Sequence, residues 1–511
     1  MDIFAFVLYF IAMVAIGVIF FVKSKGTTEK DYFLGGRAMG PWVTAMSAQA
    51  SDMSAWLLMG LPGSILAFGF GQAWIGIGLA IGTAANWILV AKRLRKFSKA
   101  AGDSITLPQY LSNRFASKSH TLSIICAVVF LVCFTIYVAS AFVAGTDVFT
   151  TLVPSLSRTA AMLIFAAIVI AYTFLGGFNA VCWTDFFQGL LMLAALLLVP
   201  IVVGFSNNLD VTALDTIYKG PKGEEFKFVA NFFSASPQDI ISGLGWGLGY
   251  FGMPHIIVRF MAIEKPSMVK KSATVAIIWV VLSLAATIII AYLGRMFVYD
   301  NGLDLSEELL ANGQQSLVFV KLARYVFPSF IAGLLLAAII AASMSTADSQ
   351  LLVAASSFTS DIYKPILRKK ASNDEIVWVS RIVVIAISVV AYFIASSEGE
   401  AAQAIMNLVS NAWGIFGAAF GPVVLLSLFW KRFTYKGAVA GIVVGALVDM
   451  LWLWLPVSDG ASLTALTGIY EIIPGFVIGG IASVVVTLID KEPSQDVKLI
   501  YAKATDNTID D

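Results

Sequence analysis

Three stretches of this 511-residue chain put polar or helix-breaking residues where so apolar a sequence should have none. The first is Ala48-Gln49-Ala50-Ser51-Asp52-Met53-Ser54-Ala55-Trp56, inside an apolar run from Pro41 to about Gly71. The second is Ala341-Ala342-Ser343-Met344-Ser345-Thr346-Ala347-Asp348-Ser349-Gln350, a dense polar run within another apolar span. The third, Gly243 to Pro254, holds five glycines and a proline, with Trp246 and Tyr250 between them. A carboxylate at mid-bilayer depth costs roughly 2.5–3.5 kcal/mol on insertion scales, so Asp52 needs a reason to be there. Alkali cations take oxygen ligands, which hydroxyls and freed backbone carbonyls supply. The chemistry these residues suit is cation and solute binding inside a membrane.

Each stretch also has a plainer reading. Ser and Thr commonly bond back to their own helix carbonyls, which explains a single hydroxyl better than the whole Ser343–Ser349 run. Gly245 and Gly249 fit close helix packing of the small-xxx-small kind, but Trp246, Tyr250 and Pro254 do not follow from it. A glycine costs about 1 kcal/mol relative to alanine in a helix, and proline removes a backbone bond. Unwound backbone at depth is tolerated only where it lines a cavity. We therefore expect two interrupted helices, the first broken near Asp52 and Gly60-Leu61-Pro62-Gly63. Asp185, in Val181-Cys182-Trp183-Thr184-Asp185, starts a further apolar run, where an acid suits the helix dipole. A secondary cation path through Asp185 and Asp348 is the alternative.

The elements that position these residues follow from composition. The chain is 59% hydrophobic and 13% charged, against about 25% charged in a soluble domain, so an all-α polytopic membrane protein is expected. Apolar runs fall at about 3–22, 41–69, 72–95, 120–148, 158–177, 183–205, 236–258, 272–297, 327–357, 374–396, 402–429, 437–456 and 468–489. That is about 13 transmembrane helices of about 20 residues each. The first run lacks a basic flank and a clear cleavage site, so it reads as a retained helix. Lys and Arg concentrate in odd-numbered loops: Lys23, Lys25, Lys30 and Arg37; Lys92 to Lys118; Lys265 to Lys271; Lys364 to Lys370; Lys431 to Lys436. The positive-inside rule puts the N-terminus outside and the polar tail 491–511 in the cytoplasm. Loops 206–235 and 298–326 are long enough for lids only. A net charge of +1 gives no reason to expect nucleic acid. Cys126, Cys133 and Cys182 show no metal spacing, and His120 and His255 form no cluster.

The two interrupted helices are the second and the seventh, five apart, so they cross in opposite directions. Breaks at corresponding places of two inverted halves point to a central binding site. At the level of motifs the chain resembles the sodium/solute symporters, most of all their proline-carrying branch. The resemblance spans the membrane part to about Asp490. It rests on Tyr32-Phe33-Leu34-Gly35-Gly36-Arg37, Ala50 to Gly63, Tyr172 to Phe178, Gly245 to Gly252, Pro254-His255, Met344-Ser345-Thr346 and Lys436-Gly437-Ala438.

This resemblance implies a LeuT-like core of two inverted five-helix repeats, about 41–205 and 236–429. A first helix (3–22) and extra helices (437–489) flank it. It implies a sodium site from carbonyls of Ala50, Met53 and Ala342 with hydroxyls of Ser345 and Thr346. Asp52 and Arg37 would serve sodium coupling. Ser54, Ala55, Tyr137, Trp246, Tyr250 and Pro254 would face the substrate, L-proline. Ala55, Met253 and Asp348 stand where the best-known proline carriers have glycine, glutamine and an uncharged residue. Sodium is the coupling ion, no cofactor is implied, and one subunit in the cytoplasmic membrane suffices. The competing readings are a sodium symporter for a sugar, carboxylate or vitamin, an ion channel, and a membrane enzyme or sensor. The last two lack a filter repeat and a catalytic cluster.

Overall fold

The computed structural model describes residues 1–23, 28–175, 177–206, 208–398, 404–458 and 460–506. Lys25, Gly176 and the tail from 507 to 511 lie outside the described residues. Among the described residues, ten helices are long and apolar enough to cross a bilayer. The expected runs at 41–69, 158–177 and 236–258 take other forms. Arg158–Leu175 is an 18-residue helix, and the other two are interrupted.

The first interrupted helix starts as Pro41–Asp52, with proline in its first turn. Proline suits that place because its missing N–H has no helical partner there anyway. The helix ends at Met53, whose ψ of 72° turns the chain aside, and it resumes through Trp56–Gly60 and Leu61–Phe68. The break thus lies at Met53-Ser54. At Gly60-Leu61-Pro62-Gly63, where a break was also expected, the chain stays helical. The turn Trp56–Gly60 is widened to π geometry, with Leu61 N–H donating to the Trp56 carbonyl, a local adjustment that accommodates the donor missing at Pro62.

The second interrupted helix runs as Pro237–Gly245, tightens to a 3-10 stretch Trp246–Phe251, and restarts as Pro254–Ala262. Its break is at Gly252-Met253, with Met253 extended. The glycines before it are used for packing, the plainer of the two readings. A Cβ on Gly247 would lie 2.4 Å from the carbonyl oxygen of Gly78, and one on Gly249 would lie 2.0 Å from Trp413 Nε1. At Gly247 the two backbones approach too closely for a side chain, and at Gly249 the Trp413 ring fills the space.

Burial ranks the other helices. The spans Ser329–Leu367 and Ala404–Phe429 are each 83% buried over their apolar windows, against 22% for the first helix and 28% for Ile472–Ile489. The first two therefore form the centre of the bundle, and the terminal helices form its rim. The first interrupted helix lies on Phe178–Gly204 and Val269–Met296, and the second on Phe70–Ala85 and Ala404–Phe429. Ser329–Phe358 reaches both.

Two boundaries differ from expectation. The third helix continues from Phe70 through Lys92–Ala100, because its basic residues share an amphipathic turn with buried Leu94 and Phe97. The sixth begins at Phe178, right after Gly177. At the end opposite the basic loops, Arg295 donates to the carbonyls of Leu66, Ala213 and Thr216, tying the 206–235 segment down. The tail carries a helix, Gln495–Thr505, that docks on Lys92–Ala100. There Tyr501 packs edge-on against Phe97 at 5.3 Å and donates to the Phe429 carbonyl.

Candidate functional site

The break at Met53 frees backbone oxygens beside the Ser329–Phe358 helix. Ser345 Oγ lies 2.8 Å from the Ala50 carbonyl oxygen and 3.1 Å from that of Ala342. Thr346, next in the chain, has a buried hydroxyl with no hydrogen-bond partner. Met53 is fully buried, and its N–H closes the helix on the Gln49 carbonyl. A junction of carbonyls and hydroxyls without fixed charge is a donor set suited to an alkali cation, and an orphaned hydroxyl beside it leaves a ligand to spare. Ser343 follows the plainer reading: it donates back to the Ile339 carbonyl.

Asp52, the last residue before the break, is 1% exposed. Tyr250 Oη donates to its Oδ2 at 2.5 Å, while Oδ1 has no partner. One hydrogen bond thus joins the two interrupted helices beside both of their breaks. Tyr137 places its hydroxyl near Ser54 and Asp52. Ser54 and Ala55 are buried in the first break, the Ser54 hydroxyl facing the Trp56 N–H at 3.4 Å. Pro254 opens the helix after the second break.

Trp246 belongs to an aromatic cluster. Its ring stacks on Tyr470 at 5.0 Å and on Trp413 at 6.3 Å, with Trp56 tilted against it at 6.2 Å. Trp413 Nε1 donates to the Trp246 carbonyl and meets Tyr250 edge-on. Such offset pairs hold large rings in fixed orientations. Neither Trp413 nor Tyr470 was singled out in the sequence, where each sits in an ordinary apolar context.

Asp185 lies two turns inside the Phe178–Gly204 helix, so the dipole reading does not apply to it. It is fully buried and pairs with Arg259 of the second interrupted helix at 3.0 Å. Ser47 donates to Asp185 at 2.7 Å and receives Arg259 Nε, and Arg259 also donates to Ser349. Four elements therefore meet on one ion pair. Asp348 is fully buried within electrostatic reach of Asp185 and Arg259, with both carboxylate oxygens unpartnered. Arg259 was missed in the sequence, although an arginine in an apolar run carries the same signal as Asp52.

Arg37 lies apart from these residues, at the basic end. It donates to the carbonyls of Met261 and Ser104 and to Ser98 Oγ, and it pairs with Asp103 at 2.8 Å. Arg95 donates to the carbonyls of Ile263 and Glu264. Cations on the last carbonyls of a helix suit its negative end, so the second interrupted helix is latched at the basic side. Partial burial alone would raise the Asp103 carboxyl, but Lys30 and Arg37 outweigh it and hold it below the usual carboxylate range. The opposite end is open. A cavity of about 580 Å³ there is lined by Asp239, Asn407, Trp246, Tyr470 and Glu471.

Comparison with known proteins gives a consistent result. Residues 32–445 match the sodium:solute symporter family. The sodium/proline symporter of Escherichia coli K12 is 43% identical over 507 residues, covering 98% of this chain and 95% of the relative. The high-affinity proline transporter PutP of Bacillus subtilis 168 is also 43% identical, over 94% of this chain and 96% of the relative. The osmoregulated proline transporter OpuE of the same strain is 39% identical, over 96% and 94%. Among solved structures, a Na+-coupled sialic acid symporter in a substrate-bound outward-open state has a TM-score of 0.73. It is 20% identical and covers 97% of this chain and 98% of its own, so it speaks to fold alone. The chain belongs to the sodium:solute symporter family.

Proposed function

We propose that this protein is a secondary active transporter that couples sodium entry to L-proline uptake across the cytoplasmic membrane by alternating access. It performs no covalent chemistry. The observation that carries the reading is the Ala50–Ser345–Ala342 junction set beside the Asp52–Tyr250 bond. Sodium held by Ala50, Met53, Ala342, Ser345 and Thr346 would tie the first interrupted helix to Ser329–Phe358. Asp52 then supplies nearby negative charge and orients Tyr250 of the other interrupted helix. Proline is a zwitterion, so its carboxylate needs donors and its ammonium needs acceptors. Freed backbone groups at Met53-Ser54 and Gly252-Met253 offer both, and Trp246, Tyr250 and Tyr137 offer apolar faces to the ring.

In this reading thirteen helices cross the membrane, built on two inverted repeats, about 41–205 and 236–429. The N-terminus is outside, and the basic end, with Arg37 and Arg95, faces the cytoplasm. The latched basic end and the cavity above Trp246 are those of a state open to the outside. Asp185 and Asp348 form a secondary cation path on release. One subunit is enough. Names of relatives 39–43% identical over nearly the whole chain support proline and sodium as the pair. The test is labelled proline uptake into proteoliposomes with and without an inward sodium gradient. Accumulation only with the gradient is expected. Uptake indifferent to sodium, or no competition by proline over a panel of sugars, carboxylates and vitamins, would overturn it.

A further inference from the structure

Outside the two interrupted helices, the extra helices carry a second pair of buried acids. Asp449, in Tyr435–Trp454, is fully buried and neither of its carboxylate oxygens has a partner. Glu471, just before Ile472–Ile489, is 2% exposed and accepts a hydrogen bond from Thr464 at 3.1 Å. Both crowd on Gly414 of the Ala404–Phe429 helix. A Cβ there would lie 2.9 Å from Asp449 Oδ2 and 3.4 Å from Glu471 Cγ. Among the described residues no Lys, Arg or His pairs with either acid. The other titratable groups within electrostatic reach are Tyr470 and, from Thr121–Leu152, Cys133.

Two facing carboxylates with no countercharge are costly in a low-dielectric interior. A cation between them removes that cost, and here a route exists: Glu471 lines the same cavity that reaches Trp246. We propose that Asp449 and Glu471 form a second cation site, taking a monovalent cation, sodium or a proton, from the outer vestibule. The inference rests on the symport reading for its consequence. Tyr470, adjacent to Glu471, stacks on Trp246 and donates to the Ser410 carbonyl. A cation at this pair therefore steadies the aromatic wall over the substrate, making the extra helices part of the coupling machinery.

The experiment compares full-length wild type, Asp449→Asn and Asp449→Glu in proteoliposomes. Proline uptake is followed against external sodium at mildly acidic and mildly basic external pH. If sodium is the ligand, Asp449→Asn raises the half-saturating sodium concentration about fivefold or more at an unchanged maximal rate, and Asp449→Glu restores it. If a proton is the ligand, the sodium curve stays and the wild-type response to external pH disappears in Asp449→Asn. A folded Asp449→Asn protein with wild-type sodium and pH curves overturns the proposal. Should that variant misfold, Glu471→Gln at the cavity wall carries the same test. Wild-type uptake without sodium dependence would instead sink the symport reading, so the two failures are distinguishable.

Discussion

Asp52 carries most of the weight at the scale of single residues. Its carboxylate is buried with one partner, Tyr250, so its charge is costly unless it takes up a proton or a cation binds nearby. Asp52→Ala should abolish sodium-stimulated uptake while leaving the protein folded, read by transport and by gel filtration side by side. Hydrogen bonds to charged groups are worth about 1.5–3 kcal/mol. Tyr250→Phe should therefore raise the half-saturating sodium concentration by about tenfold or more. Ser345→Ala removes an oxygen shared between Ala50 and Ala342 and should move the same quantity in the same direction. Arg259 behaves differently. Removing it alone leaves Asp185 buried and unpaired, at a cost of about 3–5 kcal/mol. Arg259→Met should thus lower thermal stability in detergent, and adding Asp185→Leu should recover much of the loss.

Elements meet through their smallest residues. Gly78, Gly82, Gly247 and Gly249 let the second interrupted helix lie directly on Phe70–Ala85 and on Trp413. A Cβ at Gly82 would come 2.4 Å from the Gly247 carbonyl oxygen, and overpacking of this kind costs about 1–3 kcal/mol. Gly82→Ala is expected to lower the melting temperature measurably. The Arg37–Asp103 latch has a defined pH behaviour. Because Asp103 titrates below its ordinary range in the folded protein, its contribution is complete above the unfolded value of about 3.9. That contribution is lost only as pH falls through the depressed value. The latch should hold at neutral and mildly acidic pH. Asp103→Asn should loosen it at neutral pH, seen as faster labelling of an Ala262→Cys variant by an impermeant thiol reagent applied from the basic side, with Cys126, Cys133 and Cys182 replaced.

For the whole molecule, the two interrupted helices are joined at three heights: the Asp52–Tyr250 bond, the Arg259–Ser47–Asp185 cluster and the backbone pairing of Met39 with Ile263. Anything that moves one helix strains all three. Sodium and proline binding at the breaks should then be coupled by a single free energy, and coupling of that kind is reciprocal. The factor by which saturating sodium tightens proline binding should equal the factor by which saturating proline tightens sodium binding. Equilibrium binding of both ligands to the purified protein measures it: a common factor well above one is expected, and a factor of one would mean that the sites are not linked as described.

The sequence by itself determined the membrane class, the positions of most spans and the two helices that had to break. These follow from local properties: run length against bilayer thickness, and glycine, proline or a carboxylate where a continuous apolar helix cannot hold them. Asp52, Ser345, Trp246 and Tyr250 were legible for that reason, since each sits beside its own anomaly. Only the tertiary structure decided the partners. Arg259 finds Asp185 and Ser349 across 74 and 90 residues of chain, and Tyr470 reaches Trp246 from the extra helices. It also placed the first break at Met53-Ser54, beside Asp52, and showed that Gly247 and Gly249 ahead of the second break pack against Phe70–Ala85 and Trp413. No spacing along the chain encodes such meetings, because they arise when separate helices bury their faces together.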